Sequence, residues 1–121
     1  MRKRFAVFMV SAIVLCWIAL SIPVAPAQPE PRRITVTAKR FSFDPSDITL
    51  KKGQSVVLVL TSADVAHGVR FRELNVEVKV AKGATSEVQF TPQKTGDFVG
   101  HCSVFCGSGH GTMKLMLHVV E

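Results

Sequence analysis

The stretch CSVFCGSGHGTM, residues 102–113, places two thiols, an imidazole and a thioether within twelve residues. These groups belong to Cys102, Cys106, His110 and Met113. All four are soft or borderline ligands, a set that selects copper or zinc over calcium or magnesium. The glycines between them allow the loop backbone to approach a metal closely. The loop alone cannot complete a site for two metal ions, so another ligand is expected elsewhere in the chain.

The first 27 residues have the features of a secretory signal peptide or a single membrane anchor. Basic residues 2–4 precede an uncharged, mostly apolar run at residues 5–22, and residues 25–27 form an A-x-A cleavage pattern. The run is longer than a typical signal and shorter than a typical spanning helix, so both interpretations stay open, with cleavage before Gln28 favoured. In either case the remainder is exported, to the periplasm or the outer face of the cytoplasmic membrane.

The composition outside this leader excludes some classes of protein. Both remaining cysteines lie in the ligand loop, whereas an exported domain held by disulfides usually spreads its cysteines along the chain. The net charge of +6 for the whole chain falls to about +3 without the basic residues 2–4. No basic run is interleaved with aromatic residues, so the sequence does not support nucleic-acid binding. The remainder can bury one small core, to which a bound metal would add stability.

Residues 28–33 are predicted to be a proline-rich linker, and residues 34–121 a single domain of short strands. Apolar and polar residues alternate from Ile34 onward, and Phe41 and Phe43 continue this spacing of two. Residues 55–60 are a β-branched apolar run, which predicts a strand buried on both faces. About seven or eight short strands, with turn signals between them and no convincing helix, predict an all-β sandwich.

Three histidines lie outside the ligand loop. His118 is out of phase with the apolar residues of the closing strand, so it is expected to face solvent. His101 directly precedes Cys102 on a strand, so its side chain is expected to point away from that of Cys102. His67 lies in a predicted loop after the most buried strand. It is the best candidate for the distant ligand, because zinc and copper sites often combine a ligand cluster with a residue from elsewhere.

Three interpretations of the ligand cluster are compatible with its residue types. A disulfide between Cys102 and Cys106 leaves His110 and Met113 without a role. A zinc site made of His67, both cysteines and His110 leaves only the methionine unexplained. Copper uses all of these residues, because a mononuclear blue-copper site takes one Cys, two His and a weak axial Met. The second cysteine would allow two thiolates to bridge two copper ions.

The C-x3-C-x3-H-x2-M pattern of residues 102–113, preceded by Asp-Val-Ala-His at residues 64–67, resembles the binuclear copper (CuA) domain. That family occurs in subunit II of haem-copper cytochrome c oxidases and in nitrous oxide reductase. The resemblance covers residues 34–121 and implies a cupredoxin-like Greek-key β-sandwich. It implies the following ligands: Cys102 and Cys106 bridging both ions, His67 and Met113 completing one, and His110 with the main-chain carbonyl of Val104 completing the other. Asp64 would support the imidazole of His67.

The resemblance implies a one-electron carrier with no catalytic site of its own. Its redox partner would be a cytochrome c or a terminal oxidase or reductase, and an uncleaved N-terminus would attach it to the membrane. A periplasmic copper-storage or chaperone protein is the alternative. Phe71, Phe98 and Phe105 are expected either to pack in the core or to keep water from the metals.

Three departures from the family argue against an ordinary oxidase subunit. Val104 stands where the oxidase usually has Glu, whose side chain also serves a magnesium site against the catalytic subunit. The chain has at most one membrane helix instead of two. It also lacks the aromatic run that receives electrons from cytochrome c, since it has no Tyr and its single Trp is Trp17 in the leader. The slightly basic mature surface is likewise unsuited to a basic cytochrome.

Overall fold

A computed structural model describes residues 21–26 and 29–121 of the chain. The predicted signal or anchor at residues 1–27, with Cys16 and Trp17, therefore lies almost wholly outside the described residues. Residues 21–26 are exposed and have no regular secondary structure. Within the described ranges, no helix combines the length and the apolar character needed to span a bilayer.

The described part of the chain contains nine strands and two short 3-10 turns, Arg72–Leu74 and His110–Thr112. The strands are β1 (Arg32–Lys39), β2 (Ser42–Asp44), β3 (Asp47–Lys51), β4 (Val56–Ser62), β5 (His67–Phe71), β6 (Val76–Val80), β7 (Thr85–Phe90), β8 (Gly96–His101) and β9 (Lys114–Val120). The sequence predicted one or two strands fewer. The apolar spacing from Ile34 to Phe43 reads as continuous, but a turn at residues 40 and 41 folds it into the antiparallel hairpin β1–β2.

Two sheets face each other and enclose the core, which confirms the all-β sandwich. One has the strand order β2-β1-β4-β7, and the other has the order β3-β9-β8-β5-β6. Leu58 and Leu60 of the first sheet and Leu115 and Leu117 of the second are almost completely buried. Burying a side chain of this size stabilises the fold by about 1.5–3 kcal/mol. Every residue from Val56 to Leu60 is buried, which confirms the prediction that this strand is covered on both faces.

The topology brings the predicted ligands to one end of the sandwich. His67 begins β5, Cys102 follows the last residue of β8, and Met113 directly precedes β9. The backbone N–H of Cys102 donates to the carbonyl of Met113 at 3.2 Å, which closes the base of the ligand loop. The N–H of Ser103 donates to the carbonyl of Gly68 at 3.3 Å and ties the same loop to β5. The loop is therefore anchored to three strands of the five-stranded sheet.

The close approach of β8 to the core depends on Gly100. A Cβ atom added to Gly100 would lie 2.5 Å from a ring carbon of Phe71 and 2.7 Å from Cγ2 of Val69. Both neighbours belong to β5 and are buried in the core. The Phe71 ring therefore occupies the space that a side chain at position 100 would need.

His118 joins three neighbouring strands of the five-stranded sheet at their outer face. Its Nδ1 lies 2.7 Å from Oδ1 of Asp97 in β8, and its Nε2 lies 2.9 Å from Oδ1 of Asp47 in β3. The side chain of His118 is 35% exposed, in keeping with the predicted solvent-facing position. The two acidic partners were not predicted, since they come from strands that are distant in the sequence. Hydrogen bonds to Asp97 and then to Asp47 raise the pKa of His118.

We expect the stability of the chain to fall as the pH rises through the raised pKa of His118. At a pH well below the ordinary histidine pKa of about 6.5, His118 is protonated in both the folded and the unfolded chain. The two ion pairs then make their full contribution to the free energy of unfolding. Above that value the unfolded chain loses its proton first, and the contribution disappears once the folded pKa is passed. Urea unfolding of the wild type and of His118→Gln from about pH 5 to about pH 9 measures this. Parallel pH profiles for the two proteins would contradict the assignment to His118.

Candidate metal centre

The structure brings the side chains of five predicted ligands together at one end of the sandwich. The sulfurs of Cys102 and Cys106 lie 3.8 Å apart. Nδ1 of His67 lies 4.0 Å from Sγ of Cys102, and Nδ1 of His110 lies 3.8 Å from Sγ of Cys106. Sδ of Met113 lies 3.8 Å from the same Cys106 sulfur. The two thiols therefore occupy the middle of the cluster, with one imidazole next to each.

The sixth predicted ligand, the main-chain carbonyl of Val104, also points into the cluster. Its oxygen lies 3.2 Å from Sγ of Cys102, which is close enough to accept a weak hydrogen bond from the thiol. The valine side chain has no donor atom of its own. The carbonyl is nevertheless an oxygen directed at the same space as the thiols.

Both cysteines are free thiols and are buried. Their sulfur separation of 3.8 Å is well beyond the ~2.05 Å of a disulfide bond. Burial, followed by the neighbouring Cys102, raises the pKa of the Cys106 thiol. Cys106 is therefore protonated at neutral pH without a metal. Binding of a metal ion by the thiolate form would release that proton.

His67 begins strand β5, whereas the sequence predicted it to lie in a loop. Its first backbone pair is with Val80 of β6, so the imidazole is held by a regular sheet and is completely buried. Nε2 of His67 lies 2.6 Å from Oδ1 of Asp64 and donates its proton to this carboxylate. The lone pair of Nδ1 is consequently left facing the thiols, an arrangement that is common in metal-binding histidines.

Asp64 is itself held in place by backbone donors. The N–H of Arg40 donates to Oδ2 at 2.8 Å, and the N–H of Val65 donates to Oδ1 at 2.6 Å. The Arg40 bond is the largest cause that lowers the pKa of Asp64 to about 2, with His67 and Val65 adding to it. Asp64 therefore stays ionised at any ordinary pH, and it keeps the His67 ring in a single tautomer and orientation.

The turn between β1 and β2 covers the ligand loop, a contact that the sequence did not reveal. Nε–H of Arg40 donates to the carbonyl of Cys106 at 2.9 Å. The ring of Phe41 lies against Gly107 and Gly109, and a Cβ at either glycine would press on that ring. A larger residue than glycine would therefore not fit at positions 107 and 109, where Phe41 packs. Gly111, in contrast, faces open space. No local sequence pattern indicates a contact between residues this far apart.

The three phenylalanines expected near the metals behave differently from one another. Phe71 and Phe98 are buried core residues, which agrees with one of the two predicted roles. Phe105 is 78% exposed, which excludes packing in the core as its role. The Phe105 ring lies with its centroid 5.6 Å from that of His110, at a tilted angle. It therefore covers one side of this imidazole and is itself open to solvent.

The residues present fit a copper site. The possible ligand atoms of His67, Cys102 and Cys106 all lie within 4.8 Å of one another. His67 and Met113 are completely buried, and the two cysteines are each 5% exposed. Thiolate, imidazole and thioether groups are the donors that copper prefers, and a thioether has no place in a typical zinc site.

The sequence of the chain is related to those of known oxidase subunits. The profile of the cupredoxin-like domain family matches residues 9–113. Cytochrome c oxidase subunit 2 of Thermus thermophilus is 31% identical over 97 residues, which are 80% of this chain and 72% of the relative. Another T. thermophilus protein of that name has the same identity, with 58% of its length covered. Probable cytochrome c oxidase subunit 2 of Streptomyces coelicolor is 38% identical over 72 residues, only 23% of its length.

Several solved structures have the same fold. The periplasmic domain of subunit II of cytochrome oxidase from Bradyrhizobium japonicum superimposes with a TM-score of 0.69 at 23% identity, covering 77% of this chain and 87% of that domain. A chain of a heme-copper terminal oxidase dimer gives 0.66 at 26% identity, covering 84% and 80%. Auracyanin A, a blue copper protein of Chloroflexus aurantiacus, gives 0.62 at 18% identity, covering 75% and 100%. The same sandwich therefore occurs both in oxidase subunits and in a blue copper protein.

Proposed function

The chain belongs to the cupredoxin-like domain family, and we propose that it carries single electrons through a pair of copper ions of the CuA type. The observation that carries this proposal is the central pair of sulfurs, 3.8 Å apart, each with its own imidazole at 4.0 Å or less. A mononuclear blue-copper site, which takes one cysteine, would leave the other thiol without a function. Two thiolates shared between two ions give every donor in the cluster a role.

Six residues would hold the two ions: His67, Cys102, Val104 through its carbonyl, Cys106, His110 and Met113. Copper supplies the one-electron redox chemistry. The protein bears the ligands on strand ends and on a loop. A hydrogen bond from the backbone N–H of Cys102 to the carbonyl of Met113 closes the base of this loop. Asp64 fixes the His67 ring, and Arg40 fixes the backbone at Cys106. Ligands that are held in this way move little when the charge of the site changes.

The burial of the donors favours an electron carrier over a copper-storage or chaperone protein. A chaperone has to present its metal in an open site from which a partner can take it. In this chain, Cys102, Cys106, His67 and Met113 lie almost entirely inside the sandwich, while His110 and Val104 are half-buried. A closed site of this kind is suited to electron transfer, because an electron can pass through the surrounding protein. Transfer of a copper ion would require the site to open.

The relatives named cytochrome c oxidase subunit 2 belong to oxidase complexes, and most of them are only partly covered by this chain. We therefore place the domain on the periplasmic side of a membrane, where it exchanges electrons with a cytochrome c or with a terminal oxidase or reductase. Val104 has no carboxylate to serve a magnesium ion against a catalytic subunit. This difference supports a carrier with a looser attachment to its oxidase than an ordinary subunit has.

Copper loading of the purified chain tests the proposal. We expect two copper ions per chain, a purple colour, and an electron paramagnetic resonance spectrum whose hyperfine pattern shows one unpaired electron shared by two copper nuclei. The same preparation loaded with zinc serves as the control for metal content. A blue mononuclear spectrum, or a protein that retains only zinc, would exclude the binuclear centre.

A further inference from the structure

The outer face of the five-stranded sheet carries a row of basic side chains next to the ligand cluster. In the strand register, Arg70 of β5 lies opposite His101 of β8, and His101 lies opposite Lys114 of β9. All three residues are exposed. On the other side of β5, Arg70 is opposite Glu77 of β6. We call Arg70, His101 and Lys114 the basic row.

A groove of about 740 Å³ adjoins the basic row. Its lining includes the basic residues Arg70, Arg72, Lys79 and His101, the acidic residue Glu77, and the ligand-loop residues Cys102 and Ser103. The carboxylate of Glu77 lies 3.8 Å from Nε of Arg70 and 3.7 Å from Nζ of Lys79, so one negative charge is shared between two positive ones. The groove therefore keeps a net positive charge.

The basic row is directly connected to two of the proposed ligands. Successive residues of a strand point to opposite faces, so His101 points outward while the following Cys102 points into the cluster. In the same way, Lys114 points outward while the preceding Met113 is completely buried. Cys102 itself contributes to the lining of the groove. A molecule bound in the groove would lie one residue away from a thiol of the metal centre.

We propose that the groove and the basic row form the docking surface for an acidic electron-transfer protein, which exchanges electrons with the centre through Cys102. This inference rests on the proposed function. In each encounter, one electron leaves the reduced partner and the oxidation level of the centre falls by one, with no bond made or broken. Carboxylates of the partner would pair with Arg70 and Arg72, because a guanidinium binds carboxylates through two parallel hydrogen bonds.

The shape of this surface favours a protein over a membrane as its occupant. A lipid headgroup layer is flat on the scale of the groove and would meet only the residues at its rim. An acidic side chain projecting from a protein can enter the groove and approach Cys102. Opposite charges on two such surfaces also increase the rate of productive encounter at low ionic strength.

Charge reversal tests the docking surface in the copper-loaded chain. Arg70→Glu with Lys79→Glu reverses the groove. As a control, Lys51→Glu with Lys52→Glu makes the same change of net charge at the opposite end of the sheet. The N–H of Lys52 donates a hydrogen bond to the carbonyl of Val120 at that end. Stopped-flow spectroscopy follows oxidation of the reduced centre by anionic hexacyanoferrate(III) and by cationic tris(phenanthroline)cobalt(III). We expect the groove variant to react with the anion at least about tenfold more slowly, and the control variant about twofold more slowly.

The same groove variant should react faster with the cationic complex, and both effects should diminish as salt is added. Equal effects of the two variants on the anionic reaction would overturn the docking surface. If charge reversal prevents folding, the pair Arg70→Gln and Lys79→Gln replaces it, with Lys51→Gln and Lys52→Gln as its control. An unchanged copper spectrum verifies that each variant keeps its centre.

Binding to the copper-free chain provides a second readout. An acidic plant-type ferredoxin serves as the probe, and amide chemical shifts locate its contact surface. We expect shifts at β5, β6 and the end of β8, which the groove variant loses. Groove-dependent binding to phosphatidylglycerol vesicles without ferredoxin binding would overturn the proposal in favour of a lipid surface. If the wild type fails to form the two-copper spectrum, the proposed function fails; a normal spectrum with no groove-specific effect refutes the docking surface alone.

Discussion

Replacing Cys106 by serine is expected to abolish the two-copper centre. The sulfur of Cys106 lies within 3.8 Å of three other proposed donor atoms, on Cys102, His110 and Met113. A serine hydroxyl is a hard, weakly acidic donor and does not replace a bridging thiolate on copper. Metal analysis should show at most one copper per chain, and the spectrum of an electron shared by two nuclei should disappear.

Val104→Ala is the matched control for this substitution in the same loop. It removes most of a side chain that has no donor atom but keeps the carbonyl oxygen, which lies 3.2 Å from Sγ of Cys102. We expect two copper ions per chain and a spectrum close to that of the wild type. A two-copper spectrum in Cys106→Ser would refute the bridging role of this thiol. A lost centre in Val104→Ala would refute the assignment to the carbonyl.

Gly100→Ala is expected to cause a large loss of stability, although it adds only one methyl group. The added methyl group would lie 2.5 Å from the Phe71 ring, which is buried in the core. Insertion of a methyl group into a packed core costs about 1–3 kcal/mol, and contact with two core side chains places this case near ~3 kcal/mol. Urea unfolding of the copper-free chain measures the difference in the free energy of unfolding.

Gly111→Ala makes the same chemical change where no atom lies within 4 Å of the new methyl group. We expect its free energy of unfolding to stay within about 0.5 kcal/mol of the wild type. Combining Gly100→Ala with Phe71→Leu should recover part of the loss, since the smaller side chain leaves room for the methyl group. A Gly100→Ala protein as stable as the control would show that β5 and β8 are not tightly packed at this point.

The ligand cluster could be predicted in detail because most of it is local. Four of the six proposed ligands lie on side chains between Cys102 and Met113, so their types and spacing appear together in the sequence. His67 was found by a different route, since only chemistry indicated that a distant imidazole was needed. The alternation of apolar residues predicted the sandwich, because a strand that is buried on one face must repeat with a period of two.

The surroundings of the cluster could not be predicted because they depend on contacts between distant residues. Arg40 and Phe41 belong to a turn that interrupts an apparently continuous alternation, and they touch the ligand loop from the other sheet. Phe105 was expected either to pack in the core or to keep water from the metals. Its exposure depends on what packs against the loop tip, which no local pattern records. The basic row could not be predicted either, because only the register of the paired strands places Arg70, His101 and Lys114 side by side.

The position of β9 in the sheet has a consequence for how the domain matures. This last strand lies between β3 and β8, and its parallel pairing joins Ile48 to Leu117 across most of the domain. Pairing of residues so far apart in the chain is slow, because a long loop has to close before any contact forms. The base of the ligand loop closes only when Met113 is in place at the start of this strand. We therefore expect the ligand loop to close late in folding, and a chain that ends before Lys114 to lack the strand that holds Met113 in place.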